Sequence, residues 1–303
     1  MSTILMEKIA PLKSLEISEK LFIFKTHLSF IEKGWLPMDG NVTVNSFQSS
    51  TGHNYSSNIH HQVDNKLIVR MDFFIDDAAT LEEIDIFLDE VLKGKNEANF
   101  SSWFVMNMQT RYFDDIVRGV IQRLYFHFEK DPSKFDHNMM ASPTTEPGQI
   151  SLPQGYTLGP LLEAHADVIT EQWALDINFK NTNDDSLLSM SLRNIKQRQC
   201  FGIFTKSNPT TPIAWICVYS EGTVGQLHVK NDHRGRGLAR ILIRHTLKTV
   251  QETHGMECRV HACIKKKNTA SMSLFLSEGW KLQPFNFKIL LFRKSEVSEN
   301  DLN

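Results

Sequence analysis

The chain has 303 residues, 41% of them apolar, and a net charge of −2, which is enough material for a substantial core and favours two domains over one. There is no basic excess to suggest a nucleic-acid partner, and no apolar run approaches the ~18 residues of a membrane span. Cys200, Cys217, Cys258 and Cys263 lack CxxC or metal-ligand spacing and read as reduced thiols of an intracellular protein. The N-terminus carries Glu7, Glu16 and Glu19 and no arginine before Arg70, which fits neither a signal peptide nor a typical transit peptide. The expected compartment is the cytoplasm.

In chain order, residues 1–130 read as an α+β domain. A helix is expected over 14–33, strands over 41–48 and 66–74, a helix over 80–93, a strand over 103–108 and a long helix over 111–128. Leu67, Val69 and Met71 alternate as in a half-buried strand, and Ile116, Val117, Val120, Ile121 and Leu124 recur at helical spacing. His53, His60 and His61 match no ligand spacing, so no metal is expected, and 49–58 reads as a polar surface loop. Residues 131–154 hold Pro132, Pro143, Pro147 and Pro153 with little periodicity and read as a linker.

The second half, 155–294, opens with Tyr156-Thr157-Leu158. Helices are expected over 164–175 and 186–199, and strands over 201–205 and 213–219, joined by a turn over 207–212 with Pro212 opening the next strand. Then comes Gly222 to Arg240, GTVGQLHVKNDHRGRGLAR: an alternating run, a polar turn, two glycines and an amphipathic helix. A strand leading through a glycine-rich turn into a helix N-terminus is an anion site, because the first helical N–H groups have no intrahelical partners and the dipole end is positive. A P-loop would need Gly-Lys-Ser/Thr, which is absent, and a dinucleotide fingerprint would need a third glycine where Arg240 stands. The helix over 236–254 turns Leu238, Ile241, Leu242 and Val250 inward and stops at Gly255. A strand over 256–264, Lys265-Lys266-Lys267-Asn268, a helix over 269–277 and a strand from Trp280 follow, with 295–303 as a disordered tail.

Arg234-x-x-Gly237-x-Ala239 resembles the acyl-CoA signature of the GNAT N-acyltransferase superfamily. Asn268, Leu274, Phe275, Gly279 and Trp280 resemble its C-terminal signature, in the right order and on the right elements. The run Pro212-Ile-Ala-Trp215, Leu227-His228-Val229 and Arg234 to Ala239, with Gly155 to Leu161 and Trp173, is similar to the glycine N-acyltransferase-like branch over about 155–292. The resemblance implies a mixed-sheet α+β GNAT fold in the C-terminal half, in the order β-α-α-β-β-β-α-β-α-β. The preceding α+β domain is of comparable size to one in that branch, and a degenerate GNAT-like copy is one reading of it. The implied co-substrate is acyl-CoA or acetyl-CoA, without metal, and the implied acceptor is glycine, another amino acid or a small amine. No nucleic-acid or membrane partner is implied, the oligomeric state is left open, and mitochondria become an alternative compartment.

By the same resemblance, Leu227, His228 and Val229 would pair their backbone with the pantetheine arm. The N–H groups of Gly235, Arg236, Gly237, Leu238, Ala239 and Arg240 would hold the diphosphate, with Asn268 reaching the arm from the other side. Arg234, Arg236 and Lys265 to Lys267 are candidates for the CoA phosphates, although a solvated loop is the better expectation for the lysines. Where several relatives carry a glutamate base this chain has Thr223, which cannot act as a base at neutral pH but can hold a water. Where many carry a tyrosine acid it has Phe275. His261, sharing strand parity with Cys263, is the substitute base, against the alternative of an ordinary buried histidine; water-mediated deprotonation is also open. His228 has the opposite parity from Thr223 and is expected to point away, and Glu221 reads as a turn residue. The alternatives to a small-molecule N-acyltransferase are a protein N-acetyltransferase of the same superfamily and a non-catalytic acyl-CoA-binding protein.

Overall fold

The computed structural model describes residues 26, 29–30, 33, 42–48, 53–63, 66–74, 80–92, 103–108, 115–116, 118–119, 127–128, 136–177, 184–196, 200–219 and 222–293. The chain divides into two compact units that alternate along the sequence. One holds Met1–Leu12, Asp39–Asn138 and Pro284–Asn303, and the other Lys13–Met38 and Met139–Gln283. The tail 295–303 lies outside the described residues.

In the first unit β1 (Val42–Gln48), β2 (His53–Val63) and β3 (Lys66–Phe74) form an antiparallel meander, from Val42 opposite Ile59 to Val63 opposite Lys66. β3 then pairs in parallel with β4 (Trp103–Met108). The connection between these parallel strands contains α1 (Leu81–Leu92), as a parallel crossover requires. Its start is fixed by a reciprocal cap: the Glu83 amide donates to Thr80 Oγ1 (3.2 Å) and the Thr80 amide to Glu83 Oε2 (2.8 Å). Ile84, Phe87 and Leu88 form its buried face.

Three expectations fail here for a shared reason. The 49–58 loop is strand from His53 onward. Its polar sequence (HNYSSNIHHQV) hides a segment whose backbone groups are satisfied by strands on both sides. The helix expected to 128 has ended before β5 (His127–Phe128), which pairs with Phe292 and Arg293. The linker over 131–154 contains β6 (Asp136–Ala141). The prolines of that segment lie outside β6, where Pro cannot interrupt a ladder.

The second unit runs β7 (Tyr156–Pro160), α2 (Ala166–Ile177), α3 (Asp184–Lys196), β8 (Cys200–Thr205), β9 (Ala214–Val218), β10 (Val224–Val229), α4 (Leu238–His254), β11 (His261–Lys265), α5 (Thr269–Ser277) and the start of β12 (Lys281–Arg293). This is the mixed α+β order β-α-α-β-β-β-α-β-α-β expected from the sequence. The four strands β7 to β10 form one antiparallel sheet, ordered β10-β9-β8-β7. Leu161, Ala166, Ile169, Ile195, Cys200, Phe204, Trp215 and Cys217 make the core between this sheet and α2 and α3. α4 buries Leu238, Ile241, Leu242, Ile243, Leu247 and Val250 and ends at Gly255, whose amide returns to the Gln251 carbonyl (2.9 Å). The strand expected from 256 begins at His261, because Cys258 N–H closes a turn on the Gly255 carbonyl (3.1 Å).

Residues near the N-terminus belong to this unit. Thr26, Ser29 and Phe30 are helical, and Thr26 Oγ1 donates to the Arg259 carbonyl (2.6 Å). Phe30 is fully buried and stacks at 4.5 Å on His254, whose Nδ1 pairs with Ser29 Oγ (3.2 Å). Burial, then Lys33, lowers the His254 pKa to about 4, outweighing the opposing effect of the Ser29 backbone. The folded value lies below that of an unfolded histidine, so the neutral ring's stabilisation is complete above pH 6.5 and is lost as pH falls towards 4. The unfolding free energy from denaturant titrations across this window should fall by about 1–2 kcal/mol once solvent screening of a half-buried ring is allowed for. His254→Gln should flatten that dependence.

The segment 142–155 lacks regular structure but is tied to the second unit. Ser142 exchanges its amide with the Val260 carbonyl (2.9 Å) and its hydroxyl with the Val260 amide (3.1 Å). Gln251 Nε2 donates to the Thr145 carbonyl (3.1 Å) and Arg244 to that of Gln149 (3.0 Å).

Candidate functional site

β10 lies at one edge of its sheet, and its far side faces β11. The two touch at one point, a parallel bridge between Thr223 and His261, where the His261 amide donates to the Gly222 carbonyl (3.0 Å). Beyond it they are not paired as a ladder, so β10 from Val224 to Val229 keeps an open edge towards β11. An unpaired strand edge is a template for any extended chain that carries amides.

At the junction the Thr223 hydroxyl and His261 Nε2 are 2.9 Å apart. His261 is wholly buried, and Thr223 is half-exposed. A hydroxyl within hydrogen-bond distance of an imidazole is an arrangement chemically able to relay a proton to the ring. Both sequence candidates are therefore brought together, as a pair rather than as alternatives. Glu221 lies outside the described residues.

Pairing between β10 and β9 slips within a few residues. Gly225 stands opposite Cys217 and His228 opposite Trp215, so three steps on β10 match two on β9. The extra residue makes a β-bulge and reverses strand parity. Thr223 faces Tyr219, whose amide donates to its carbonyl (2.8 Å), and His228 stacks on Trp215 at 4.7 Å and 24°. Tyr219, Cys217 and Trp215 alternate on the α2–α3 side of the sheet, so Thr223, Gly225 and His228 share that face. The expectation that His228 points away from Thr223 is corrected by the bulge. Gly225 itself was the available signal, since glycine inside a strand marks a bulge or a close approach. A Cβ on Gly225 would stand 2.6 Å from the Tyr219 ring.

Gln226 occupies the bulge with φ +51°, and it is the one non-glycine residue with positive φ among those described. Such a conformation costs about 1–2 kcal/mol for a residue with a Cβ. Its side-chain Oε1 and Nε2 are both buried, and neither has a hydrogen-bond partner among the described residues. Sequence reasoning passed over it.

At the other end of β10, a short 3-10 turn (Asn231–His233) leads to Gly235 and Gly237, both at φ +76°. Gly237 is the N-cap of α4, with no side-chain cap and no acidic residue in the first turn. An added Cβ at either glycine meets nothing within 4 Å, so the backbone there is open as well as left-handed. Leu238, Ala239 and Arg240 make the first turn of α4 and present their amides at its positive end.

The two arginines expected to meet phosphate also brace this turn. Arg234 Nε donates to the Val229 carbonyl (2.9 Å), and Arg236 to the Tyr156 hydroxyl (2.9 Å) and Asp232 carbonyl (3.2 Å). Tyr156 also pairs with His233 Nδ1 (2.9 Å), bracing the turn from β7, three strands away. Arg240 and Arg244 both bind Glu278, at 2.5 and 2.6 Å. The Glu278 side chain is only 6% exposed, whereas those of Arg240 and Arg244 are 48% and 28% exposed and stay partly solvated without it. Glu278→Ala should lower stability by about 1 kcal/mol in chemical denaturation.

Asn268 caps α5, accepting from the Ser271 amide (3.1 Å). It thus stands at the start of the helix expected over 269–277. Lys265, Lys266 and Lys267 are exposed. Phe275 is buried and packs edge-on against Trp280 at 4.7 Å, so the position expected for an acid belongs to the core. Among the described residues no group of three His, Cys, Asp or Glu is placed to hold a metal, and no helix is long and apolar enough to cross a membrane.

Residues 200–286 match the family described as FR47-like protein. No curated protein matches the chain in sequence. A Drosophila protein of known X-ray structure is similar over 91% of this chain and 90% of its own, at 15% identity and a TM-score of 0.63. A GCN5-related N-acetyltransferase from Kribbella flavida aligns over 91% of this chain and 97% of its own, at 11% identity and 0.46. Another from Sphaerobacter thermophilus covers 88% and 85%, at 14% and 0.43. The likeness to the Drosophila protein is one of fold.

Proposed function

We propose that this protein is an acyl-CoA-dependent N-acyltransferase whose acceptor is the amino group of glycine, another amino acid or a small amine. One arrangement supports it: the open edge of β10 runs from a left-handed glycine turn at the N-terminus of α4 to the Thr223–His261 pair. The turn is shaped for a diphosphate, and the edge for the amide-bearing arm that follows it in CoA. A thioester carried on that arm arrives beside a hydroxyl–imidazole pair.

The chemistry then needs little from the protein. An acceptor ammonium gives a proton through the Thr223 hydroxyl to His261. The freed amine attacks the thioester carbonyl carbon, a C–N bond forms, and the electron pair on oxygen returns to break the C–S bond. CoA leaves as thiolate and takes up the second nitrogen proton directly or through water. A thiolate is a fair leaving group, so a buried Phe275 in place of an acid is compatible with turnover. That same phenylalanine favours a second reading, a binder of acyl-CoA without catalysis.

The test is free-thiol release from acetyl-, benzoyl- and longer-chain acyl-CoAs in the presence of an amino-acid panel that includes glycine. Release that depends on a small acceptor supports the proposal. Binding of CoA without such release rejects it in favour of a protein N-acetyltransferase or the non-catalytic binder.

A further inference from the structure

We infer that Gln226 is a substrate-binding catalytic residue, its carboxamide holding the carbonyl of the bound acyl thioester; this rests on the acyl-CoA reading of the same site. Two independent anomalies meet in this residue. Its backbone is left-handed at φ +51°, in the bulge position where glycine is the usual occupant. Its amide oxygen and nitrogen are both buried and have no partner among the described residues. A buried carboxamide normally finds partners, and strained backbone persists where the surroundings hold it for a purpose. Neither feature serves the sheet: the bulge interrupts the β9–β10 ladder, and the side chain bonds to nothing described.

Position identifies the missing partner. A CoA arm running from the glycine turn back along Val229, His228 and Leu227 delivers its thioester at the next residue, Gln226, three positions from Thr223. A carboxamide offers donors at Nε2 and an acceptor at Oε1. The thioester carbonyl oxygen accepts a hydrogen bond and gains charge when the amine attacks. The incoming amine is a donor. Nε2 to the carbonyl oxygen and Oε1 to the amine use both halves of the group, and the first bond strengthens as the C–N bond forms.

The experiment compares acetyl-CoA with free CoA by calorimetric titration of the full chain, wild type and Gln226→Leu. The wild type is expected to hold acetyl-CoA about fivefold more tightly than CoA, the size of one neutral hydrogen bond. In Gln226→Leu that ratio should fall to about one with CoA affinity unchanged, because only the acyl carbonyl loses its donor. The unliganded variant should melt at a higher temperature, since an unpartnered buried amide has been replaced by an apolar side chain. Gln226→Asn, which tolerates the left-handed backbone better, gives the same loss of discrimination if the leucine variant fails to fold. A wild-type ratio of one, or an unchanged ratio in a folded variant, overturns the inference and leaves the CoA site standing. Absence of binding of either ligand to the wild type removes the acyl-CoA reading itself.

Discussion

Gly237→Glu is expected to lower CoA affinity by about a hundredfold. Gly237 sits at φ +76° and caps α4 without a side chain. A Cβ there costs about 1–2 kcal/mol in backbone strain. A carboxylate at the helix N-terminus then occupies the place of the ligand's own negative charge, and repulsion adds a comparable amount. Together these reach about 3 kcal/mol, or two orders of magnitude in Kd. Gly237→Ala separates the parts, because it carries the strain without the charge and should lose far less affinity. Titration with CoA, alongside thermal melts to confirm folding, checks both. A folded glutamate variant with unchanged affinity would remove the basis for a phosphate site at this turn.

The second large effect is expected at the hydroxyl–imidazole pair. His261→Ala should reduce kcat by roughly 10²–10³, as loss of a positioned base does. Any rise of rate with pH that depends on this ring should disappear with it, since a histidine base works only when neutral. His261 is wholly buried, so this variant also leaves a cavity, and stability must be measured in parallel. Thr223→Val avoids that difficulty by keeping the shape and removing the hydroxyl that stands 2.9 Å from the ring. It should cut kcat about tenfold with little change in KM for acyl-CoA. Normal rates and an unchanged pH profile in both variants would favour deprotonation by water alone.

The glycine turn, the helix behind it and the order of elements from Tyr156 onward were legible because each rests on local rules. Left-handed glycines, a cap and a 3.6-residue stripe are written in neighbouring residues. What depends on tertiary pairing was not legible. The contacts that Arg234 and Arg236 make with the Val229 carbonyl and the Tyr156 hydroxyl are of this kind, since only the fold brings those partners near. The orientation of His228 was inverted because alternation assumes an unbroken ladder, and one extra residue at Gln226–Leu227 reverses it. In the first unit, the polar strand from His53 to Val63 carries almost no apolar signal, so only its neighbours β1 and β3 make it a strand. The helical residues Thr26 and Phe30 were assigned with the N-terminal half, since nothing in 14–33 announces a partner more than 200 residues away.

The alternation of the two units along the sequence constrains how the chain comes into being. During synthesis the first unit cannot close when its own 39–138 stretch has emerged. The strand that pairs with β4 and β5 is Lys288–Arg293, near the end of the chain. The second unit needs Lys13–Met38 kept available while a hundred intervening residues (39–138) are made. Both cores thus wait on long-range closure, which slows folding and prolongs exposure of unpaired strand edges. A fragment beginning at Gly155, which the sequence motifs alone would suggest as a self-sufficient catalytic piece, would lack Phe30 and the Thr26 bond to Arg259, two residues before His261. A truncation that reaches beyond Leu12 from the start, or beyond Pro284 from the end, therefore removes part of both units.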